Sequence, residues 1–318
     1  MSAQRGEETY LVTGGAGFIG SHLVDALLAR GDRVRVLDNF STGRRVNLPP
    51  REGLELLEGD IRDAETCRRA VSRCDGVFHQ AALGSVPRSV ADPATTHAVN
   101  ATGTLNVFLA AKEAGIRRVV YASSSSVYGD DANLPKREER VGLPLSPYAA
   151  SKRSSELAAA AFARCYAMEL VGLRYFNVYG TRQDPDSPYA AVIPLFIRSA
   201  LSGEAAVIHG DGEQTRDFTF VSDIVTANVA AMERDTGASP VFNIGAGGRT
   251  SVNELWETIC GIVGTRRQAR HGSPRPGDVR DSLADISRAR AVLGYEPCYR
   301  IRDGLAATVE SYRVSTSP

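Results

Sequence analysis

Lysine is almost missing from this chain: the 37 basic residues include only Lys112, Lys136 and Lys152 as lysines, so each of the three invites a question. Cysteine is sparse and odd in number. Cys67, Cys74, Cys165, Cys260 and Cys298 include no Cys-x-x-Cys pair, so neither a disulfide framework nor a zinc site is suggested. A reduced, cytoplasmic setting is expected. The five histidines (His22, His79, His97, His209, His271) lack metal-ligand spacing, and no metal is expected. No apolar run is long enough to span a bilayer, and the first residues do not resemble a signal peptide, so no membrane partner is expected. Neither charge dominates: Lys+Arg and Asp+Glu are both 37. A nucleic-acid binder would carry a basic excess, so nucleic acid is excluded as a partner, while a local basic pocket for a phosphorylated small molecule is not. Internal repeats and low-complexity tracts are absent as well.

What remains is an ordinary globular composition, 43% hydrophobic and 23% charged, over 318 residues. That length suits two domains around a shared cleft. Apolar runs at 10–12, 34–37, 54–57, 76–78, 119–121 and 170–174 read as strands. Amphipathic stretches at 19–30, 64–71, 95–114 and 146–166 read as the helices between them. Alternation of this kind predicts an α/β fold, a doubly wound parallel sheet of Rossmann type covered on both faces. Glycine and proline break the rhythm between Gly180 and Gly212, where the chain is expected to leave for a smaller α/β domain. A helix at 221–232 and a strand at 241–244 return to the main sheet. The expected division is 1–177 with 217–248 for the first domain, and 178–216 with 249–318 for the second.

Between the first strand and first helix lies Thr13-Gly14-Gly15-Ala16-Gly17-Phe18-Ile19-Gly20. Glycines let a backbone turn tightly and approach a pyrophosphate, and the helix that follows offers free amides and a partial positive charge. A plain strand-to-helix turn would also use glycine. Asp38 decides for a dinucleotide: it ends the second strand at the offset where a carboxylate binds the adenosine ribose hydroxyls. A carboxylate there would repel a 2′-phosphate, so NAD is favoured over NADP.

Tyr148 and Lys152 stand four positions apart on the predicted helix from Ser146, hence on one face. A free tyrosine titrates near ~10, too high for a base at neutral pH. A nearby ammonium, with a positive nicotinamide ring, favours the phenolate. Tyr148 is thus expected to take a proton from a hydroxyl while hydride leaves the same carbon for NAD. Such a pair is common by chance, and its context gives it meaning. The run Ser123-Ser124-Ser125-Ser126 follows directly on the fifth strand, where small hydroxyl residues face a ligand crevice.

Taken in order with Asp38, Gly59-Asp60-Ile61-Arg62-Asp63, His79-Gln80-Ala81-Ala82, Asn100, Arg174-Tyr175-Phe176-Asn177, Arg216-Asp217-Phe218 and Arg275-Pro276-Gly277-Asp278, these motifs cover essentially the whole chain. The chain resembles the extended short-chain dehydrogenase/reductase family, and within it the nucleotide-sugar 4-epimerases. The resemblance implies NAD bound by Gly14, Gly17, Phe18, Ile19, Gly20, Asp38, Asn39, Asp60, Ile61, Gln80, Ala81, Ala82, Asn100, Tyr148, Lys152 and Tyr175. It implies Ser124 as the serine hydrogen-bonded to the sugar O4, Tyr148 as the base and Lys152 on the nicotinamide ribose. It assigns Asn177, Arg216 and Arg275 to the substrate diphosphate and Asp278 to the uridine ribose. Ser85, Ser125, Ser126, Ala191, Val192 and Ser282 would border the substrate.

Related dehydratases carry an Asp-Glu pair directly after the catalytic hydroxyl residue. Here Ser125 and Ser126 occupy those positions and lack acid–base capacity. Decarboxylases resemble the chain less in the late arginine region. The resemblance therefore implies C4 epimerisation of a UDP-sugar, with decarboxylation or 4,6-dehydration as the alternative. A non-catalytic NAD-binding protein is the remote alternative, against which the retained Ser124, Tyr148 and Lys152 argue. Ser282 in place of a bulky tyrosine leaves room for a C2 acetamido group, but room does not demand it. UDP-N-acetylglucosamine, UDP-glucuronate and UDP-glucose all stay open. The small residues of the helix from Tyr148 suit a homodimer, and they equally suit packing against the chain's own sheet.

Overall fold

The computed structural model describes residues 7–187, 190–237, 239–273 and 280–316. The first half alternates as β1 (Thr9–Thr13), α1 (Phe18–Ala29), β2 (Arg33–Asp38), β3 (Leu54–Glu58), α2 (Ala64–Val71), β4 (Gly76–His79), α3 (Val86–Ala91), α4 (Pro93–His97), α5 (Thr104–Glu113), β5 (Arg118–Ser124), α6 (Pro147–Tyr166) and β6 (Glu169–Tyr175). The second half runs β7 (Val178–Tyr179), α7 (Val192–Ser202), β8 (Val207–His209), β9 (Thr215–Arg216), β10 (Thr219–Phe220), α8 (Val221–Glu233), β11 (Val241–Ile244), β12 (Thr250–Ser251), α9 (Val252–Val263), β13 (Arg270–Gly272), α10 (Ser287–Leu293) and α11 (Ile301–Thr316).

Seven strands form one sheet in the order β11-β6-β5-β4-β1-β2-β3. Every pairing within it is parallel. This is the expected Rossmann-type α/β fold. The strand order reverses between β1 and β4, and such a switch point opens a crevice at the carboxyl ends of the strands. Alternate side chains of the strands feed two cores. Tyr10, Val12, Val34, Val36, Phe78 and Val120 pack on one face with α1 and α8. Leu11, Leu37, Val77, Val119 and Leu170 pack on the other with α2, α5 and α6. A third cluster joins Tyr179, Phe196, Ile197, Phe218, Leu255, Trp256 and Leu305, drawn largely from α7, α9 and α11.

The helix expected over 95–114 is interrupted. A π-helical turn at Ala98–Gly103 separates α4 from α5. Within it the Asn100 side chain turns inward to the Leu83 N–H (2.8 Å), the Leu83 carbonyl (3.1 Å) and the Ser151 hydroxyl (3.2 Å). A π turn inside a helix often marks a functional site, and this one braces the loop after β4 that borders the crevice. Helix α6 starts where Ser146 accepts the Ala149 N–H, with Pro147 pre-set for the first turn.

Candidate active site

A cleft of ≈ 510 Å³ lies over the switch point. Gly14 must turn the chain with φ +69°, and a Cβ there would stand 2.7 Å from the Ala81 N and Cα. At Gly20 a Cβ would come within 2.2 Å of the Gly14 carbonyl oxygen. These two residues let the loop fold flat against α1 and the loop after β4. The amino end of α1 has Gly17 as its cap, makes no side-chain cap hydrogen bond, and carries no acidic residue in its first turn. Its amides therefore meet the cleft with their partial positive charge unspent, which suits a pyrophosphate.

At the other end of the loop, Asp38 is 8% exposed and accepts N–H bonds from Ala16 (2.9 Å) and Phe40 (2.8 Å). Burial raises its pKa, against those backbone bonds, so further hydroxyl donors from a ribose would favour the charged form. Asn39 donates to Asp60 at 2.8 Å. Hydrogen bonds from Arg62 hold the Asp60 carboxyl down at about 2, ionised throughout the physiological range. Ile61, Gln80, Ala81 and Ala82 complete this wall. Gln80 and Tyr175 are tied to each other (3.1 Å) and to Asn228 of α8, so the cleft floor is fixed by a buried polar cluster.

Ser124, Tyr148 and Lys152 line the inner end of the cleft. Ser124 ends β5, and its Oγ accepts the Ser126 N–H at 3.1 Å. Lys152, 5% exposed, donates from Nζ to the Ala122 carbonyl at 2.8 Å. Burial draws the ammonium down to about 8, and the Glu156 carboxylate opposes the fall. Burial pushes the Tyr148 phenol up, and only a hydrogen bond with Ser124 works against it. The expected lowering of Tyr148 by Lys152 is thus not a property of the chain by itself, because the ammonium is turned to the β5 backbone. His79 is a core residue: its ring joins Thr13 (2.7 Å) to Thr104 (2.8 Å), and burial, aided by Lys152, holds it neutral, down at about 3.

Of the residues the sequence singles out, Gly14, Gly17, Phe18, Ile19, Gly20, Asp38, Asn39, Asp60, Ile61, Gln80, Ala81, Ala82, Ser124, Ser125, Tyr148, Lys152, Tyr175 and Asn177 line the one cleft. Asn100 does not: it is 1% exposed, and its amide is used on Leu83 and Ser151. Ser85 caps α3 by accepting the Arg88 N–H. Ser126 sits in the turn after Ser124, its hydroxyl buried. Ala191 caps α7, and Val192 packs against the third core cluster. Arg216 donates to the carbonyls of Thr215 (2.9 Å) and Arg280 (3.0 Å), and the Ser282 N–H donates to the Thr215 carbonyl at 3.1 Å. These residues stand outside the cleft wall, and Arg275 and Asp278 lie outside the described residues. Among the described residues no His, Cys, Asp and Glu cluster could hold a metal ion, and no helix is long and apolar enough to cross a membrane.

The cleft also recruits Ser41, Thr42, Leu83 and Val99, which the motifs passed over, with Val178 and Gln183, which stand in motifs but were assigned no role. Ser41 and Thr42 could have been found from their place just after Asp38. The stretch Arg182-Gln183-Asp184-Pro185 resembles enzymes acting on N-acetylated UDP-hexosamines, but by itself it gives no place in the cleft to Gln183. Its position depends on the Tyr312 hydroxyl of α11, which donates to its carbonyl from far along the chain.

Known proteins share this fold. The chain is 43% identical over 308 residues to the UDP-glucose 4-epimerase of Mycolicibacterium smegmatis, covering 95% of this chain and 98% of that one. A UDP-N-acetylglucosamine 4-epimerase from Methanobrevibacter ruminantium, solved with UDP-N-acetylmuramic acid, superposes with a TM-score of 0.94 at 42% identity, over 98% of this chain and 99% of the other. The UDP-glucose 4-epimerase of Thermotoga maritima with UDP-glucose superposes at 0.93 and 40% identity, over 97% and 100%. The sequence profile of the NAD dependent epimerase/dehydratase family matches residues 10–245, from β1 to the loop after β11. By that match, and by the glycine cradle and cleft that go with it, the chain belongs to the NAD dependent epimerase/dehydratase family, and NAD is its cofactor.

Proposed function

We propose that the chain is a UDP-sugar 4-epimerase that oxidises C4 transiently to a ketone and returns hydride to the opposite face. The observation that carries this reading is the meeting of Ser124, Tyr148 and Lys152 in the cleft that also holds the glycine cradle. NAD, when bound, supplies hydride acceptance and return at C4. Tyr148 takes the O4 proton and later gives it back, and Ser124 hydrogen-bonds O4 and the phenol. Lys152 holds the nicotinamide ribose and favours the phenolate electrostatically. Ser125 and Ser126 supply no acid–base pair, so the ketone has no route to elimination across C5 and C6. It turns over in the pocket and is reduced from its other face.

Asn177 with Arg216 and Arg275 would hold the diphosphate by charge-assisted bonds, and Asp278 the uridine ribose. Residues 1–177 with 217–248 form the NAD-binding domain in this reading, and 178–216 with 249–318 the nucleotide-sugar domain. The enzyme works as a cytoplasmic homodimer. Its sugar is one of UDP-N-acetylglucosamine, UDP-glucuronate and UDP-glucose. The similar proteins named above span more than one sugar, which keeps the choice open.

The test is an NMR assay of purified enzyme with NAD and each of the three UDP-sugars. One substrate converted to its 4-epimer far faster than the others establishes reaction and sugar together. Conversion of none overturns the epimerase reading.

A further inference from the structure

The reaction as read leaves one buried acid unused. Glu156 follows Lys152 by one turn on α6, is 5% exposed, and does not line the cleft. Its carboxylate receives the Ser123 hydroxyl at 2.6 Å, Arg174 at 2.8 and 3.0 Å, and Arg153 at 2.8 Å. Arg174, 1% exposed, stands opposite Ser123 in the β5–β6 register and donates onward to the Tyr128 hydroxyl (3.0 Å) and the Glu138 carbonyl (3.1 Å). Two contacts thus register α6 on the end of β5: Lys152 on the Ala122 carbonyl and Glu156 on the Ser123 hydroxyl. The next residue of that strand is Ser124. Replacing a buried ion pair by an apolar pair of similar volume is often neutral or stabilising, so stability by itself is a weak reason for a charge at this spot.

We propose that Glu156 is the positioning residue of this active site, fixing Ser124 against Tyr148 through Ser123 and serving as the counter-charge of the Lys152 ammonium. This rests on the roles given above to Ser124, Tyr148 and Lys152. The titratable and charged groups around the turn that carries Lys152 and Glu156 are Tyr148 and Arg153 on the same helix, His79 on β4, Tyr121 on β5, and Arg174 and Tyr175 on β6. His79 is neutral, and the tyrosines are pushed up by burial. Arg174 lies behind Glu156 and is neutralised by it. Glu156, one helical turn on from Lys152, is the carboxylate that opposes the fall of the ammonium, and Arg153 and Arg174 share its charge. Burial works to raise its pKa, but Arg174, Ser123 and Arg153 together bring it below the ordinary glutamate value.

With only three lysines, the full-length holoenzyme labelled at lysine Cε gives three NMR signals, and Lys152→Met assigns the one that matters. Glu156→Gln should lower the Lys152 midpoint by about one pH unit. The alkaline limb of kcat should move down with it, and Glu156→Asp should restore part of both. Glutamine leaves the Arg174 guanidinium uncompensated, so Ser123→Ala, which removes the contact between Glu156 and β5 but keeps the ion pair, is measured beside it; it should lower kcat and carries the test of positioning if Glu156→Gln does not fold. A folded Glu156→Gln variant with an unmoved Lys152 midpoint, or a Ser123→Ala variant with the wild-type kcat, overturns the proposal. If the wild type converts no UDP-sugar, the epimerase reading fails, while the lysine titration still judges Glu156.

Discussion

Burial pushes the Tyr148 phenol up, and inside the chain only Ser124 works against that rise. A phenol so placed ionises near neutral pH only with a positive charge beside it. Lys152 is on the same helical face, but its ammonium is engaged with Ala122 and already drawn down to about 8. Removing the phenolic oxygen should therefore abolish proton transfer while leaving the binding surfaces intact. Tyr148→Phe is expected to lower kcat by about 10²–10⁴-fold, in line with the loss of one general acid–base group, with little change in UDP-sugar affinity. Steady-state kinetics together with a binding titration would check this. A rate near that of the wild type would remove Tyr148 from the role of base.

Two glycines separate the needs of the elements from those of their surroundings. Gly20 lies in the first turn of α1, where a Cβ would strike the Gly14 carbonyl at 2.2 Å. Gly261 lies in α9, exposed, with nothing within 4 Å of a Cβ. Gly20→Ala should destabilise the fold by about 1–3 kcal/mol through forced overpacking, and weaken NAD binding because the cradle shifts. Gly261→Ala should stabilise by up to about 1 kcal/mol through helix propensity alone. Thermal unfolding of both variants and NAD titration of the first would test the pair. Equal effects on stability would mean that the loop–helix contact is not what constrains Gly20. The π turn at Ala98–Gly103 belongs to the same scale: it spends a helical residue, Asn100, on bracing the loop at Leu83.

Across the whole molecule, the long connections converge on β9. Asp217, fully buried, accepts the N–H groups of Ala246 (2.7 Å), Gly247 (3.1 Å) and Ala284 (3.1 Å), which ties the end of β11 and the 281–285 segment to one point. Ser282 is held beside Thr215 in this bundle. If that segment borders the sugar, Ser282→Tyr should raise KM for UDP-N-acetylglucosamine more than for UDP-glucose, since only the first carries a C2 acetamido group. Competition assays with the two sugars would decide. Equal losses would show that pocket room at Ser282 does not set specificity.

The parallel sheet, its glycine turn and the Tyr148–Lys152 face were legible in the sequence by itself. They depend on local repeats of apolar residues, on backbone freedom at Gly14 and Gly20, and on helical spacing, all short-range in the chain. Asp38 was legible for the same reason, standing one strand beyond the turn. What only the tertiary structure decided was how side chains from distant segments share their hydrogen bonds. Asn100 reads as a cofactor ligand in its motif but is used on Leu83 and Ser151. Gln183 reached the cleft through a helix more than a hundred residues away. Lys152 kept its place on the helix, yet its hydrogen-bond partner became the Ala122 carbonyl rather than the phenol. A spacing rule fixes which face a residue takes; which neighbour it meets there, and how far water is excluded, depends on packing that no local pattern encodes.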